Sequence, residues 1–365
     1  MKSANRKSLA AATIGWLLAM GSTAVAQTIA PTHAEQIAAA TGSALQGNAA
    51  QALRTLEPLA PGELSRKDRS FRECMMTRFG PAPDTQADQT PSGFFIETTV
   101  QTYRDYWRRA LLQPDKRAAA EGQLLAALRA SLRRPDLPDM DSIEPALARR
   151  LAADGVHSLQ GRTGQLRELM IWKVQNEQRR PIELPEGPSI TRVVLLDEFL
   201  SLGWGDYATC GRRGAGGWAR GDAIFAVVPR YESLGGEEFR VTFLGHEAQH
   251  FADLRRFPSL KPWELEYRAK LVELGQANLT RQRVLAKFAE DRGDDPASPH
   301  SYANKRVLGD VRARLGLGDR SDLNLVAIKE LQRVAVAILK ADSNARTASP
   351  NPNIAVRGRR QIGIR

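Results

Sequence analysis

Residues 246–250 of the chain read His-Glu-Ala-Gln-His, and no other stretch is so well suited to chemistry. The surrounding segment, Glu237 to Asp253, has a helical apolar pattern in Phe239, Phe243, Leu244 and Phe251, and no proline interrupts it before Pro258. On a helix, side chains four residues apart share a face, with Cβ atoms about 5–6 Å apart. Two imidazoles so placed can converge on one Zn2+ at about 2.0–2.1 Å. His246 and His250 are therefore the candidate metal ligands. A carboxylate beside the first histidine lies near an open coordination position and can take a proton from the attacking water. Glu247 is the candidate general base. Glu237 and Glu238, in the first turn, suit the positive end of the helix.

A protein zinc site needs a third ligand. After the loop Arg255 to Pro262, a second helical pattern begins at Trp263 and carries Glu264, Glu266 and Glu273. Here, over roughly residues 221–275, the chain resembles the zincin metallopeptidases of the Glu-zincin (HExxH…E) type. No Gly and His follow at the metzincin spacing. The resemblance implies a His2Glu site with one Zn2+ and a glutamate from the following helix as third ligand. Glu266 opens the Glu-x-x-Ala pattern of that family, in which small Ala269 lets the two helices pack closely. Glu264 and Glu273 are the alternatives, and Glu273 lies two turns from Glu266. The family often places an aspartate four residues after the glutamate to orient a ligand histidine. This chain has Lys270 there, so Asp253, seven residues after His246 on its face, is the candidate for that role. Zincins also stabilise the oxyanion with a side chain beyond the metal. His300 and Tyr302 are the candidates, with Tyr231 and Tyr267 behind them.

The elements that must hold these residues read as mainly α with a small β-sheet (α+β). The expected core is zincin-like, with an active-site helix and an edge strand, preceded by a helical domain. Ala223 to Tyr231 reads as the strand, and Pro229 suggests an edge position. Ile190 to Phe199 reads as a strand running into a helix, and Ile182 to Leu184 as a short extended piece. Residues 203–221 hold seven glycines in nineteen positions. No GK[ST] or GxGxxG pattern accompanies them, so the stretch reads as an irregular loop around the site, anchored by Trp204 and Trp218, and not as a phosphate cradle. Helices are expected at about 27–62, 64–78, 95–112, 115–134 and 142–158. A polar, Pro-rich loop spans 80–92, and further helices come after Asn304 and from Leu323 to Ala341. The expected division is a signal peptide at 1–26, a helical domain at 27–180, a catalytic domain at 181–345 and a basic, disordered tail at 346–365.

The first residues set the compartment. Lys2, Arg6 and Lys7 precede an apolar run, Leu9 to Met20, and Ala24-Val25-Ala26 is a small-x-small cleavage site. The run is shorter than the roughly 18–20 residues of a spanning helix, so no transmembrane segment is expected after cleavage. The expected product is an exported protein, periplasmic or secreted. In that setting Cys74 and Cys210 are expected to form a disulfide.

Composition narrows the reading further. Across 365 residues, hydrophobic residues are 42% and charged residues 25%, which is ordinary globular usage and excludes disordered or collagen-like chains. The net charge is +11, and loss of the three leader cations leaves +8. Outside the cytoplasm such charge meets anionic envelope polymers or lipid head groups and not nucleic acid. Together these point to an exported zinc-dependent metallohydrolase, a peptidase acting on a peptide or protein substrate or on a cell-envelope component. A peptidoglycan amide hydrolase would share its metal chemistry. The rival reading is a non-catalytic envelope binding or assembly protein with a structural or vestigial metal site.

Overall fold

A computed structural model describes residues 31–81 and 94–348. The expected signal peptide, most of the 80–92 loop and residues 349–365 of the expected tail lie outside these residues, while 346–348, expected to begin that disordered tail, are helical, with Arg346 paired to Glu264 and Asp342. The fold is mainly helical with one small five-stranded sheet.

Six helices come first: α1 (His33–Leu45), α2 (Ala49–Leu56), α3 (Arg66–Phe79), α4 (Phe94–Leu112), α5 (Arg117–Leu132) and α6 (Met140–Ala153). Their starts are written locally. Thr32 and Glu35 form a reciprocal capping box on α1, while Asn48, Ser65 and Asp139 cap α2, α3 and α6. Their apolar faces meet in one core around Tyr103, Tyr106 and Trp107.

The helix expected over 142–158 stops at Ala153, and Gly155 turns the chain at φ +80°. A hairpin comes next, β1 (His157–Thr163) and β2 (Leu166–Ile182), with β3 (Ser189–Leu202) returning antiparallel along β2. The expected helical domain to residue 180 therefore ends in strand, and its boundary falls inside β2. The sequence signal for this is the two-residue loop Gly164-Gln165 between the paired Thr163 and Leu166, with Gly164 at φ +58°. The segment Ile190 to Phe199 lies wholly within β3, and the helix that follows begins only after Gly203.

After α7 (Trp204–Ala208) come β4 (Gly217–Arg220) and β5 (Ala223–Val227). The strand order is β1-β2-β3-β5-β4. Strand β5 runs parallel to β3 on one side and antiparallel to β4 on the other. The expected edge strand is thus internal, and the edge belongs to β4. Pro229 sits beyond the strand, in a single 3-10 turn at Val228–Arg230, and so removes no ladder hydrogen bond.

The sheet divides its side chains by the two-residue period of strands. Val193, Ile224 and Ala226 face the second core, beneath the site helices. Val194, Leu196, Ala223 and Val227 face a small cluster with Met170 and Trp172 on the other side. The far ends of β2 and β3, through Leu169, Ile171 and Leu200, join the first core. One long hairpin therefore belongs to both halves. Cys74 and Cys210 are bonded, tying α3 to the segment after α7 across 136 positions. The chain-entropy account assigns a loop that long about 5 kcal/mol at most.

A π-helical segment, Glu238–Gly245, leads into α8 (His246–Arg256). Then come α9 (Pro262–Gln276), α10 (Arg281–Glu290), α11 (Pro299–Leu315) and α12 (Ile328–Ala348). Among the described residues no helix is long and apolar enough to cross a membrane.

Candidate metal centre

The centre lies where α8 crosses α9. Small residues set the approach. Ala248 and Ala269 are fully buried, and a Cβ on Gly245 would stand 3.4 Å from Gln276 Oε1 and 3.7 Å from Val272 Cγ1. The single helix expected from Glu237 is π-wound up to Gly245 and α-helical from His246. Such local widening is frequent at functional sites. Glu237 does not serve the start of its own helix. Its carboxylate accepts the amides of Asn278, Leu279 and Thr280 and the Thr280 hydroxyl, at 2.6–3.0 Å, and pins the α9–α10 connection to the π segment. On the far side Arg268 of α9, with no exposed surface, pairs with Asp253 of α8, Glu186 and Asp342 of α12. The crossing is clamped at both ends.

Three side chains converge inside it. His246 Nε2 and His250 Nε2 are 3.1 Å apart. Glu266 Oε2 lies 3.5 Å from the first and Oε1 3.4 Å from the second. One ligand atom from each residue can be chosen with all separations under 4.8 Å. Ligands about 2.0–2.1 Å from a tetrahedral zinc stand about 3.4 Å from one another. The closest contacts are of that order, with Glu266 meeting the two imidazoles through different oxygens, and two imidazole nitrogens with one carboxylate are donors that zinc accepts.

The support of His246 comes from Glu273, whose Oε1 lies 2.6 Å from His246 Nδ1. In the neutral ring, donation from Nδ1 to this carboxylate leaves Nε2 with its lone pair turned toward Glu266 and His250. Glu273 is thus neither a spare ligand nor a surface charge. It stands seven residues after Glu266, where the resemblance had implied an aspartate at four. Asp253, expected in that role, is committed to Arg268 at 2.9 Å and to Gln249 Nε2 at 2.8 Å. Glu264 caps α9 through the Lys261 amide and pairs with Arg346, away from the triangle.

Electrostatics reflect this crowding. Burial opposes a charge on His246, but Glu266 and Glu273 outweigh it and raise its pKa to about 9. Burial likewise opposes the charge on Glu266, and the surrounding His246, His250 and His300 hold it far below the carboxylate range. Glu273 is also lowered, with burial again outweighed by His246. Lys270, four residues after Glu266, is buried with Nζ 3.7 Å from Glu266 Oε2. Its pKa is lowered by that burial, against the pull of Glu273 and Glu266.

The remaining expected residues separate clearly. Glu247, partly buried beside His246, makes no hydrogen bond or ion pair with the described residues. His300, at the start of α11, brings Nδ1 to 2.8 Å from Glu266 Oε2 while most of its ring stays exposed. Tyr302 packs edge-on against Trp263 with centroids 5.1 Å apart, and Tyr267 donates to Asp310 Oδ2 at 2.7 Å. Neither joins the triangle. Tyr231 packs edge-on against Phe239 and tilted against Phe243, and donates to the Gly216 carbonyl at 3.0 Å. Burial raises its hydroxyl pKa well above the usual range, and the charges of Glu238 and Glu247 add to that, which places it within electrostatic reach of the candidate base.

The Gly-rich stretch is not the expected irregular loop around the site: it folds into α7 and β4, Trp204 packs into the first core and Trp218 against the small cluster on the other face of the sheet, and close packing is why its later part needs glycine. A Cβ on Gly214 would run into the Arg230 guanidinium, and one on Gly216 would stand 2.7 Å from Tyr231 Oη. On Gly217 it would meet the Phe225 carbonyl and the Phe243 ring.

Compared with known protein families, with curated proteins and with solved structures, the chain matches none of them.

Proposed function

We propose that the protein is an exported zinc-dependent metallohydrolase, a peptidase, with His246, His250 and Glu266 holding one Zn2+. The observation that carries this reading is the convergence of two imidazole nitrogens 3.1 Å apart on a carboxylate whose two oxygens lie 3.5 and 3.4 Å from them, with the far nitrogen of His246 held by a buried carboxylate. When bound, zinc supplies a Lewis acid for the scissile carbonyl and acidifies a water molecule.

The chain's own residues then divide the work. Glu247, unpaired and adjacent to His246, accepts the proton of the attacking water and passes it to the leaving nitrogen. Glu273 keeps the lone pair of His246 Nε2 aimed inward. His300, mostly exposed with Nδ1 2.8 Å from Glu266 Oε2, supplies an imidazole that would stabilise the reacting carbonyl. The free edge of β4, Gly217–Arg220, offers backbone donors and acceptors to an extended peptide by strand addition. Lys270 beside Glu266 favours the second reading, an envelope binding or assembly protein with a vestigial site, because it puts a competing cation on a ligand.

Zinc content and cleavage of a mixed fluorogenic peptide library separate the two. Wild-type protein and Glu247→Gln are expected to carry one zinc each and His246→Ala none. Glu247→Gln is expected to lose at least about 100-fold in turnover. Wild-type protein without zinc would end the metal reading. Zinc without cleavage of any peptide would favour the binding protein.

A further inference from the structure

We infer that Lys270 sets the metal affinity of the centre, by holding Glu266 in place when the site is empty and opposing the ion when it is filled. The inference rests on the metal reading above and concerns how tightly, not whether, the ion is held.

A lysine almost never gives up its hydration without a reason. Lys270 has done so: its side chain is 3% exposed. Its ammonium lies 3.7 Å from Glu266 Oε2 and 5.1 Å from the centroid of Phe288, whose ring face attracts a cation. The charges that favour it are those of Glu273 and Glu266, the carboxylate that orients His246 and the carboxylate that completes the triangle. The groups that chiefly offset its burial therefore belong to the metal centre or to the aromatic wall behind it.

A divalent ion would draw on the same two carboxylates. Held about 2.0–2.2 Å from Glu266, it would stand within about 6 Å of the ammonium. The lysine cannot swing out to water, because α9 carries it into the interior over Phe288. Filling the site thus places two cations on one pair of acids. Emptying it leaves Lys270 to neutralise Glu266, so the ligand cluster keeps its shape without a metal. The consequence is an exchangeable site that stays folded when metal is withdrawn.

The test is zinc affinity, measured by competition with a chromogenic chelator on the full mature chain, for wild type, Lys270→Met, Lys270→Gln and Lys116→Met. Lys116 is an exposed cation in the turn before α5, in the first half of the chain, and its variant controls for net charge. Both Lys270 variants are expected to bind zinc at least tenfold more tightly than wild type, and Lys116→Met within twofold. Thermal melts give a second readout with opposite signs. The Lys270 variants should melt below wild type without metal and gain more from saturating zinc than wild type does. A merely structural lysine would lower both melts alike. Folded Lys270 variants with unchanged or weaker zinc affinity would overturn the inference. So would variants that fail to fold even with zinc present. If wild type binds no zinc, the metal reading itself has failed, which is a different result.

Discussion

Glu273→Gln isolates the orienting carboxylate. The change keeps size and shape and removes one charge from a residue that is 1% exposed. Glu273 Oε1 lies 2.6 Å from His246 Nδ1, so its charge stands about 6–7 Å from an ion held by the opposite ring nitrogen. At an effective dielectric near 20, Coulomb's law gives about 5 kcal/mol between that carboxylate and a doubly charged ion. Desolvating a fully buried acid works against much of this. Carboxylates that support a ligand histidine are worth a factor of about 10–100 in metal affinity. That is about 1.4–2.7 kcal/mol, well inside the Coulomb limit. Zinc affinity of Glu273→Gln, read by chelator competition, is therefore expected to fall 10–100-fold, opposite in sign to the Lys270 variants. Circular dichroism should show the helices retained. Affinity equal to wild type in a folded variant would mean that the Glu273–His246 contact does not aim the imidazole, and the reasoning from the triangle would fail with it.

Two further changes test how the crossing is built. Glu237→Gln removes the charge that gathers three amides and a hydroxyl at the α9–α10 connection. With the solvent access of this carboxylate taken into account, the expected loss is about 1–2 kcal/mol in urea melts. Burial would raise the Glu237 pKa, but its Thr280, Asn278 and Leu279 donors outweigh that and lower it. A lowered carboxylate stabilises the fold fully above its unfolded value and ceases to as pH falls through the folded value. The gap between wild type and variant should therefore be flat from neutral pH down to about 5 and shrink below about 4.5. A gap that is constant to lower pH would refute the assignment. Gly217→Ala should cost about 1–3 kcal/mol or more, because its Cβ would collide with the Phe225 carbonyl and the Phe243 ring. Phe243 lies three residues before His246, so zinc affinity should fall with it. Wild-type stability and affinity in this variant would show that the Gly-rich stretch does not press on the site.

Part of this was legible without coordinates because it depends on spacing along one element. His246 and His250 share a helical face wherever that helix goes, and Glu247 is fixed by adjacency. The caps at Thr32, Asn48, Ser65 and Asp139 are likewise local, since each side chain meets an amide a few residues away. The helical character of the first half came from the same short-range pattern, and the hairpin at Gly164-Gln165 has a local turn signal too. Its strand residues, rich in Glu, Lys, Gln and Arg, hide the two-residue period.

The rest depended on which elements meet. Glu264, Glu266 and Glu273 are equivalent as letters on α9. The angle at which α9 crosses α8 turns the first toward Lys261 and Arg346, the second into the triangle and the third beneath His246. Asp253 had the right spacing but met Arg268 first. The edge of the sheet passed from Ala223–Val227 to Gly217–Arg220 because β4 folds back onto β5, a pairing between segments that neither one encodes alone. The sequence by itself determined that His246 and His250 share a face with Glu247 beside them, which needs only the helical repeat. Only the tertiary structure decided which glutamate meets both imidazoles, which one meets His246 Nδ1 and which cation stands beside them, because packing geometry chooses among chemically identical side chains.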